Sequence, residues 1–436
     1  MKKIMKKKVY FAFSDDILHS GHKKILKYAS RYGEITVGLL TDEAIITYKS
    51  LPHLSYHKRE RLIKGLPYVK SVIKQETLDY TKNLNLIKPN YVVHGDDWKE
   101  GVQKIIRKKA IKTLKKFGGK LIETKYVKDI SQSFIKEKKL EVGNAPENRR
   151  PKLKRLLKAK RKKIIRILES HNALSGLIIE SLSVLKNKIF LEFDGMWSSS
   201  LTDSTARGKP DNQSVDYSTR MIGVNEILDV TTKPMIFDGD NGGRLEHLPF
   251  LVKTLDRLGV SAVIFEDKIG LKKNSLFKEQ SGVKQDNIQT FCKKIIAAKD
   301  ASSSDDFMVI ARIESFILNK GIDDAIKRAK AYTKAGVDAI MIHSKENTPK
   351  QIFAFSKKFR SFNKTTPLVS VPSTYSQTFE KQLISNGFQI VIYANHLLRA
   401  AHPAMVNTAK TILLNNRAKE ADKNLSSIKN IIKLIQ

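Results

Sequence analysis

The sequence predicts an α/β protein of two domains, an open α/β sheet domain followed by a (β/α)8 TIM barrel. Three observations carry this. The chain has 436 residues, long for one core. Short apolar runs alternate with amphipathic segments up to about residue 136, where a basic stretch with Gly and Pro breaks the pattern. From residue 164 apolar runs recur with helical segments between them, the rhythm of a barrel. The expected units are therefore 1–136, a linker at 137–163, and 164–436.

Composition narrows the class. A hydrophobic share of 41% and a charged share of 28% describe a soluble globular protein. The formal net charge of +36 would suit nucleic acid or anionic lipid. The lysines, however, are spread along the whole chain, as on a solvated surface, so no nucleic acid partner is expected. Anionic small molecules would still gain from the field. Cys292 is the single cysteine, which excludes an intramolecular disulfide and points to a reducing compartment. The run Val9–Phe13 is too short for a signal sequence before Asp15 and Asp16, and no apolar run approaches ~18–20 residues. A cytoplasmic protein that spans no membrane is expected.

Taken in order, KVYFAF at 8–13 reads as a buried strand. The following SDDILHSGHKKILKYASRYG reads as a turn and an amphipathic helix, with Ile17, Leu18, Ile25, Leu26 and Tyr28 as apolar positions. A second strand follows at Glu34–Leu39. His19 and His22 in HSGH stand at i and i+3 on a helix start, where free N–H groups and the helix dipole favour a phosphate. Strand, HxGH and helix together resemble the Rossmann-like nucleotidyltransferases, whose histidines stabilise charge on an α-phosphate.

LSYHKRERL at 54–62 resembles the segment in which glycerol-3-phosphate-type cytidylyltransferases carry a phosphate-binding arginine, and Arg59 falls on it. HGDDW at 94–98, after the strand Tyr91–Val93, resembles the GDDW signature; Gly95 and Asp96 fall at a strand's carboxyl end, the ligand edge of an open sheet. Two departures stand out. Phe13, Ser14, Asp15 and Asp16 occupy the family's opening Gly-Thr-Phe-Asp, and YVKDISQS at 126–133 retains only part of a later arginine- and glycine-bearing motif. Ser131 and Ser133 remain there to meet a triphosphate. The resemblance implies a CTP-dependent transfer to a phosphonate or another phosphorylated alcohol. The departures leave open a degenerate, non-catalytic docking module.

KEKKLEVGNAPENRRPKLKRLLKAKRKK runs through the linker. RNA or membrane binding is one reading of it. No aromatic residue interleaves the charge for base stacking, so a solvated connector running into a helix is expected.

In the second domain the candidate strands are Ile167–Leu168, Ile189–Phe193, Met235–Phe237, Ala262–Phe265, Met308–Ile313, Ala339–Ile342, Leu368–Val371 and Ile390–Tyr393. Several end in a polar group: Glu169, Asp238, Glu266, Glu314, His343 and Asn395. Polar groups at the carboxyl ends of barrel strands read as an active site. Asp238 and Asp240 share one strand end and, with Glu266, form an oxygen-rich set that suits Mg2+ held mostly through water. FEDKIGLKKNSL at 265–276 adds a loop with cations and an amide, as a lid over a metal-bound anion would.

With MWSSSL at 196–201 and FDGDNGG at 237–243, this stretch resembles phosphoenolpyruvate mutase of the isocitrate lyase superfamily. The resemblance covers about 164–436. It implies Mg2+ on the carboxylate and enolate oxygen of the substrate, and a phosphoryl group on the backbone of Ser199, Ser200 and Leu201 beside Trp197. It places Arg312 and His343 against the phosphoryl group, Asp211 in the catalytic site, and Lys272, Asn274 and Ser275 on the gating loop. The sister lyases carry a catalytic cysteine where this chain has LKKNS at 271–275, and phosphonopyruvate hydrolase departs at the position of Asn274.

The domain order resembles the bifunctional enzymes of fosfomycin-type phosphonate biosynthesis. It implies phosphoenolpyruvate, CTP and a phosphonate such as 2-hydroxyethylphosphonate as substrates, and a homo-oligomer built on the barrel.

Overall fold

The computed structural model describes residues 6–99, 103–124, 132–160, 163–187, 189–270, 272–275 and 280–435. Ser131 lies outside them. The chain divides into two compact units, Met1–Gly143 and Asn144–Gln436.

The first unit is a five-stranded parallel sheet of β1 (Lys8–Phe13), β2 (Glu34–Leu40), β3 (Val69–Gln75), β4 (Tyr91–Gly95) and β5 (Lys120–Thr124) in the order β3-β2-β1-β4-β5. The near-continuous apolar character of β1 and β2 follows from cover on both faces. Val9, Phe11, Ile35 and Val37 pack with Ile25 and Leu26 of the helix Ser20–Ser30, while Tyr10 and Val92 face Leu84, Trp98 and Leu114. The strand order reverses between β1 and β4. In an open α/β sheet that is where a crevice forms at the carboxyl ends.

The second unit opens with β6 (Ile165–Glu169). An antiparallel hairpin of β7 (Ser183–Lys186) and β8 (Ile189–Glu192) follows, and then β9 (Gly195–Ser198), β10 (Met235–Asp238) and β11 (Ala262–Glu266). The short strands β12 (Lys268–Ile269) and β13 (Lys284–Gln285) pair with each other, and β14 (Met308–Ile313), β15 (Ala339–Ile342), β16 (Leu368–Ser370) and β17 (Ile390–Tyr393) complete the set. The closed barrel runs β10-β11-β14-β15-β16-β17-β6-β9.

The second barrel strand is therefore β9, not the expected Ile189–Phe193. That run belongs to a surface hairpin in which Phe190 is 69% exposed. Gly195 explains the choice. A Cβ there would lie 2.7 Å from the Pro234 carbonyl oxygen and 2.8 Å from Ile167, so only glycine lets β9 close between β6 and β10.

The linker expectation also meets a different structure. Residues 146–159 form two helices, Pro146–Arg149 and Lys152–Ala159, seated against the amino-terminal end of the barrel. Arg149 is buried and donates to the carbonyls of Leu228 and Thr231, just ahead of β10. Arg150 donates to the Asp256 carbonyl (2.6 Å) and pairs with its carboxylate. Leu153 and Leu156, at i and i+3, are buried. At Gly259 (φ 82°) a Cβ would meet the Pro146 Cα at 2.6 Å, so this glycine both ends its helix and admits the proline. The basic charge is thus partly spent on backbone carbonyls, which no local pattern reveals.

Candidate active sites

The barrel positions its functional groups through parallel register. Glu266 pairs with Arg312 across β11 and β14, and Arg312 with Met341 across β14 and β15, so strand-end side chains rise together. Trp197, Ser199, Ser200, Leu201, Asp211, Asp238, Asp240, Glu266, Lys272, Asn274, Ser275, Arg312 and His343 line one cavity of about 70 Å3. The sequence thus brings its expected barrel residues to one place. Of the polar strand ends, Glu169 and Glu314 do not line it. Glu169 accepts from the backbone N–H groups of Leu397 and Leu398 (3.0 and 3.4 Å), and Glu314 lies beneath the site as a support.

The segment Lys272–Ser275 lies over the cavity between Gly270 and Gly282, both at positive φ (94° and 77°) and next to the β12–β13 pair. Lys272 pairs with Asp211 (2.7 Å) and with Asp240. Asn274 Nδ2 donates to Asp211 Oδ2 (2.9 Å). Ser275 Oγ receives Lys268 Nζ and Arg312 Nη2 and donates to Glu314, each at 2.8 Å. Arg312 also faces Glu266 (3.3 Å), Glu314 and His343 Nδ1 (3.0 Å).

The electrostatics of this packed set are uneven. Burial pushes Glu266 up to about 7 against the pull of Lys268 and Arg312, and pushes Asp240 up against Lys272. For Asp238 burial is outweighed by Lys272, Arg312 and Arg220, which hold it below the usual carboxylate range. Burial and Arg312 lower His343 below the ordinary imidazole range, against the pull of Glu314. Arg220, which sequence reasoning missed, is buried under the acids. It reaches Asp203 (3.0 Å), the Asp238 carbonyl (2.6 Å) and Asp240 (3.7 Å). A helical arginine in Tyr-Ser-Thr-Arg carries no local signal of such a role.

Among the described residues no three His, Cys, Asp or Glu side chains converge as a metal cage. Asp238 and Asp240 share one strand end, where Asp238 Oδ1 accepts from the Asp240 N–H (3.2 Å), and Glu266 closes the next strand. An oxygen-only set with few converging carboxylates fits Mg2+, which keeps most of its waters, better than Zn2+ or a caged Ca2+.

In the first unit a cavity of about 140 Å3 opens at the β1–β4 switch point, lined by residues 11–15, His22, Tyr48, Tyr80, His94, Gly95 and Trp98 among others. His19 and His22 stack at 3.6 Å, and His19 Nδ1 caps the helix by accepting the His22 N–H (3.4 Å). That contact leaves Nε2 of His19 as the protonated nitrogen of the neutral ring. Asp15 Oδ2 stands 3.5 Å from His22 Nε2, and Lys49 pairs with Asp15 at 2.6 Å. Burial opposes the Asp15 charge, but His22 and Lys49 hold it well below the usual carboxylate range. His94 and Trp98 stack in parallel at 3.9 Å, an aromatic face that the sequence reading did not anticipate. Gly95 lines this cavity, and Asp96 opens the turn that follows β4. Arg59 does not reach the cavity: it is buried and pairs with Asp42 at 2.8 Å.

Comparison with known proteins divides the chain in the same way. The family model described as phosphoenolpyruvate phosphomutase matches residues 153–413, and one described as cytidylyltransferase-like matches 14–138. The phosphoenolpyruvate phosphomutase of Tetrahymena pyriformis is 36% identical over 274 residues, 62% of this chain and 85% of that protein. The crystal structure of a phosphoenolpyruvate phosphomutase from Streptomyces platensis subsp. rosaceus superposes with a TM-score of 0.60 at 32% identity, covering 65% of this chain and 93% of the other. A phosphonopyruvate hydrolase in complex with oxalate and Mg2+ gives 0.58 at 32% identity, covering 66% and 94%.

Proposed function

Since the chain belongs to the phosphoenolpyruvate phosphomutase family and carries a cytidylyltransferase-like domain, we propose that it is a bifunctional enzyme of phosphonate biosynthesis. The barrel interconverts phosphoenolpyruvate and phosphonopyruvate. The observation that carries this reading is the meeting of Lys272, Asn274 and Ser275 with Arg312 and His343 in one cavity.

The phosphoryl group leaves the enol oxygen and is captured by the enolate carbon, so substrate and product are isomers and no water enters. Arg312 supplies a fixed charge to the phosphoryl group in transit, and His343 stands beside it. Glu314 and Glu266 orient Arg312. The Lys272–Ser275 segment covers the site and excludes water, which would otherwise intercept a loose phosphoryl group. Asp238, Asp240 and Glu266 would hold Mg2+, which supplies charge stabilisation at the enolate oxygen when bound. Mixing the chain with phosphonopyruvate should produce phosphoenolpyruvate in the presence of Mg2+ and none after chelation.

The N-terminal unit transfers cytidylyl from CTP to a phosphonate such as 2-hydroxyethylphosphonate, with loss of pyrophosphate. His19 and His22 face the α-phosphate, and the His94–Trp98 face suits a base. Ser131 would meet the triphosphate, with Asp96 at the strand end. The engagement of Arg59 with Asp42 favours a second reading, a non-catalytic docking module. Pyrophosphate release with CTP and a panel of phosphonates and phosphorylated alcohols decides between them.

A second copy of the chain is the partner that fits the barrel surface. The helix His396–Asn415 buries none of its residues within the unit, and it exposes apolar side chains of its own, Met405, Leu413 and Leu414 among them. No helix among the described residues is long and apolar enough to cross a membrane, and the single cysteine suits the cytoplasm.

A further inference from the structure

The segment Lys272–Ser275 is fastened in two ways. On the cavity side, Lys272 pairs with Asp211 and Asp240, and Asn274 donates to Asp211, all of them residues that line the cavity. Asp240 belongs to the oxygen-rich strand end, so a ligand held there takes it from Lys272. These bonds therefore depend on what the cavity holds.

The second fastening comes from outside the cavity. Lys268 is 3% exposed and is not among the lining residues. It opens β12, one residue beyond the barrel strand β11. Asp267 between them is buried and accepts from the Glu314 N–H (2.9 Å) and the Tyr332 hydroxyl (2.8 Å), so Lys268 starts from a fixed frame. Its Nζ donates to Ser275 Oγ (2.8 Å) and to the Lys273 carbonyl (3.2 Å). It also stands 3.5 Å from Glu266 Oε2 and 3.5 Å from Glu314 Oε2. An ammonium has three donors and no acceptor: two hold the covering segment and the third faces the two carboxylates. Those carboxylates are buried, and Arg312 is the other cation that faces both. Arg312 lines the cavity, whereas Lys268 compensates the same acids from the side away from it.

We propose that Lys268 is a positioning residue that latches the covering segment shut from outside the cavity, whatever the cavity holds, and so keeps water from the phosphoryl group. It touches no substrate and acts through Ser275 and the Lys273 backbone. The latch stands on this geometry alone, and the exclusion of water rests on the mutase reading.

The test compares the full chain with Lys268→Met, which keeps the length of the side chain and removes its charge and donors. Limited trypsin digestion, followed by mass spectrometry, reads cleavage after Lys272 and Lys273. Phosphorus NMR with phosphonopyruvate and Mg2+ reads the products. Two bonds from a charged donor are lost, and cleavage tracks the open population, so those two sites should be cut at least ~10-fold faster. The variant should also release inorganic phosphate beside phosphoenolpyruvate, where the wild type gives phosphoenolpyruvate alone. A lysine that merely supported the fold would raise cleavage along the whole chain and slow turnover without changing the product ratio. If a thermal melt shows that Lys268→Met does not fold, Lys268→Gln, which keeps a neutral donor, takes its place. A folded variant cut at the wild-type rate, cleavage that rises equally at all sites, or phosphoenolpyruvate as the sole product overturns the proposal. A wild type that makes no phosphoenolpyruvate defeats the mutase reading instead, and the cleavage rates still decide the latch.

Discussion

Replacing Asn274 by alanine probes the lid with the least collateral damage. Its neighbours are anchored independently, Lys272 on Asp211 and Asp240, and Ser275 on Lys268, Arg312 and Glu314. The covering segment should therefore keep its place when the amide is removed. The loss includes one hydrogen bond to a buried carboxylate, Asn274 Nδ2 to Asp211 at 2.9 Å, a class of bond worth ~1.5–3 kcal/mol. Removing a positioned donor from a water-excluded site costs ~10²–10³ in kcat, or about 2.7–4 kcal/mol of barrier. The two figures overlap, and we expect kcat for phosphonopyruvate conversion to fall at least ~10²-fold. The assay couples phosphoenolpyruvate formation to pyruvate kinase and lactate dehydrogenase, with a thermal melt to confirm that the variant is folded. A folded variant with near wild-type kcat would refute the role given to the lid amide.

Three further outcomes follow from other parts of the molecule. His22→Ala should abolish most pyrophosphate release from CTP and phosphonate, ~10²-fold or more, while CTP still binds by calorimetry and phosphonopyruvate conversion is untouched. A fragment of residues 144–436 should convert phosphonopyruvate and stop with EDTA; one starting at 160 loses Arg149, Leu153 and Leu156 and should unfold at least ~3 kcal/mol more easily in urea titration. Glu123 is held down to about 2, first by its bond with Arg107 and also by Trp98. A depressed carboxyl stabilises above its unfolded pKa, so this contribution should fade as pH falls from about 4.5 to about 2, by ~1–2 kcal/mol after screening at a partly exposed pair. Glu123→Gln should flatten that pH dependence, read from Trp98 emission in a Trp197→Phe background.

Much of the site was legible because strand ends announce themselves in sequence. An apolar run followed by Asp-Gly-Asp, Glu-Asp-Lys or Arg-Ile-Glu can hardly be a packed core, and parallel register then gathers those groups. The misplaced strand shows the limit of that logic. Ile189–Phe193 is richer in the β-branched and aromatic residues of a strand than Gly195–Ser198, whose only one is Trp197, yet closure turned on the space that Gly195 leaves beside Pro234. The docked helices after Gly143 were hidden for a related reason, since Arg149 and Arg150 find their acceptors on carbonyls far along the chain. Arg59 is the opposite case. Its spacing matched a phosphate-binding position, but Asp42 holds it within the fold. Partners distant in sequence decide what a charged residue does, and a single chain read alone does not display them.

The central claim is that the barrel moves a phosphoryl group within one molecule. Phosphorus NMR of the full chain with phosphonopyruvate and Mg2+ tests it directly, because carbon-bound phosphorus, enol phosphate and free phosphate resonate apart. The account predicts that the phosphonate signal gives way to that of phosphoenolpyruvate, with no inorganic phosphate, and that EDTA stops the change. Growth of inorganic phosphate with pyruvate would contradict it, since water would then have reached the group that the lid is meant to protect.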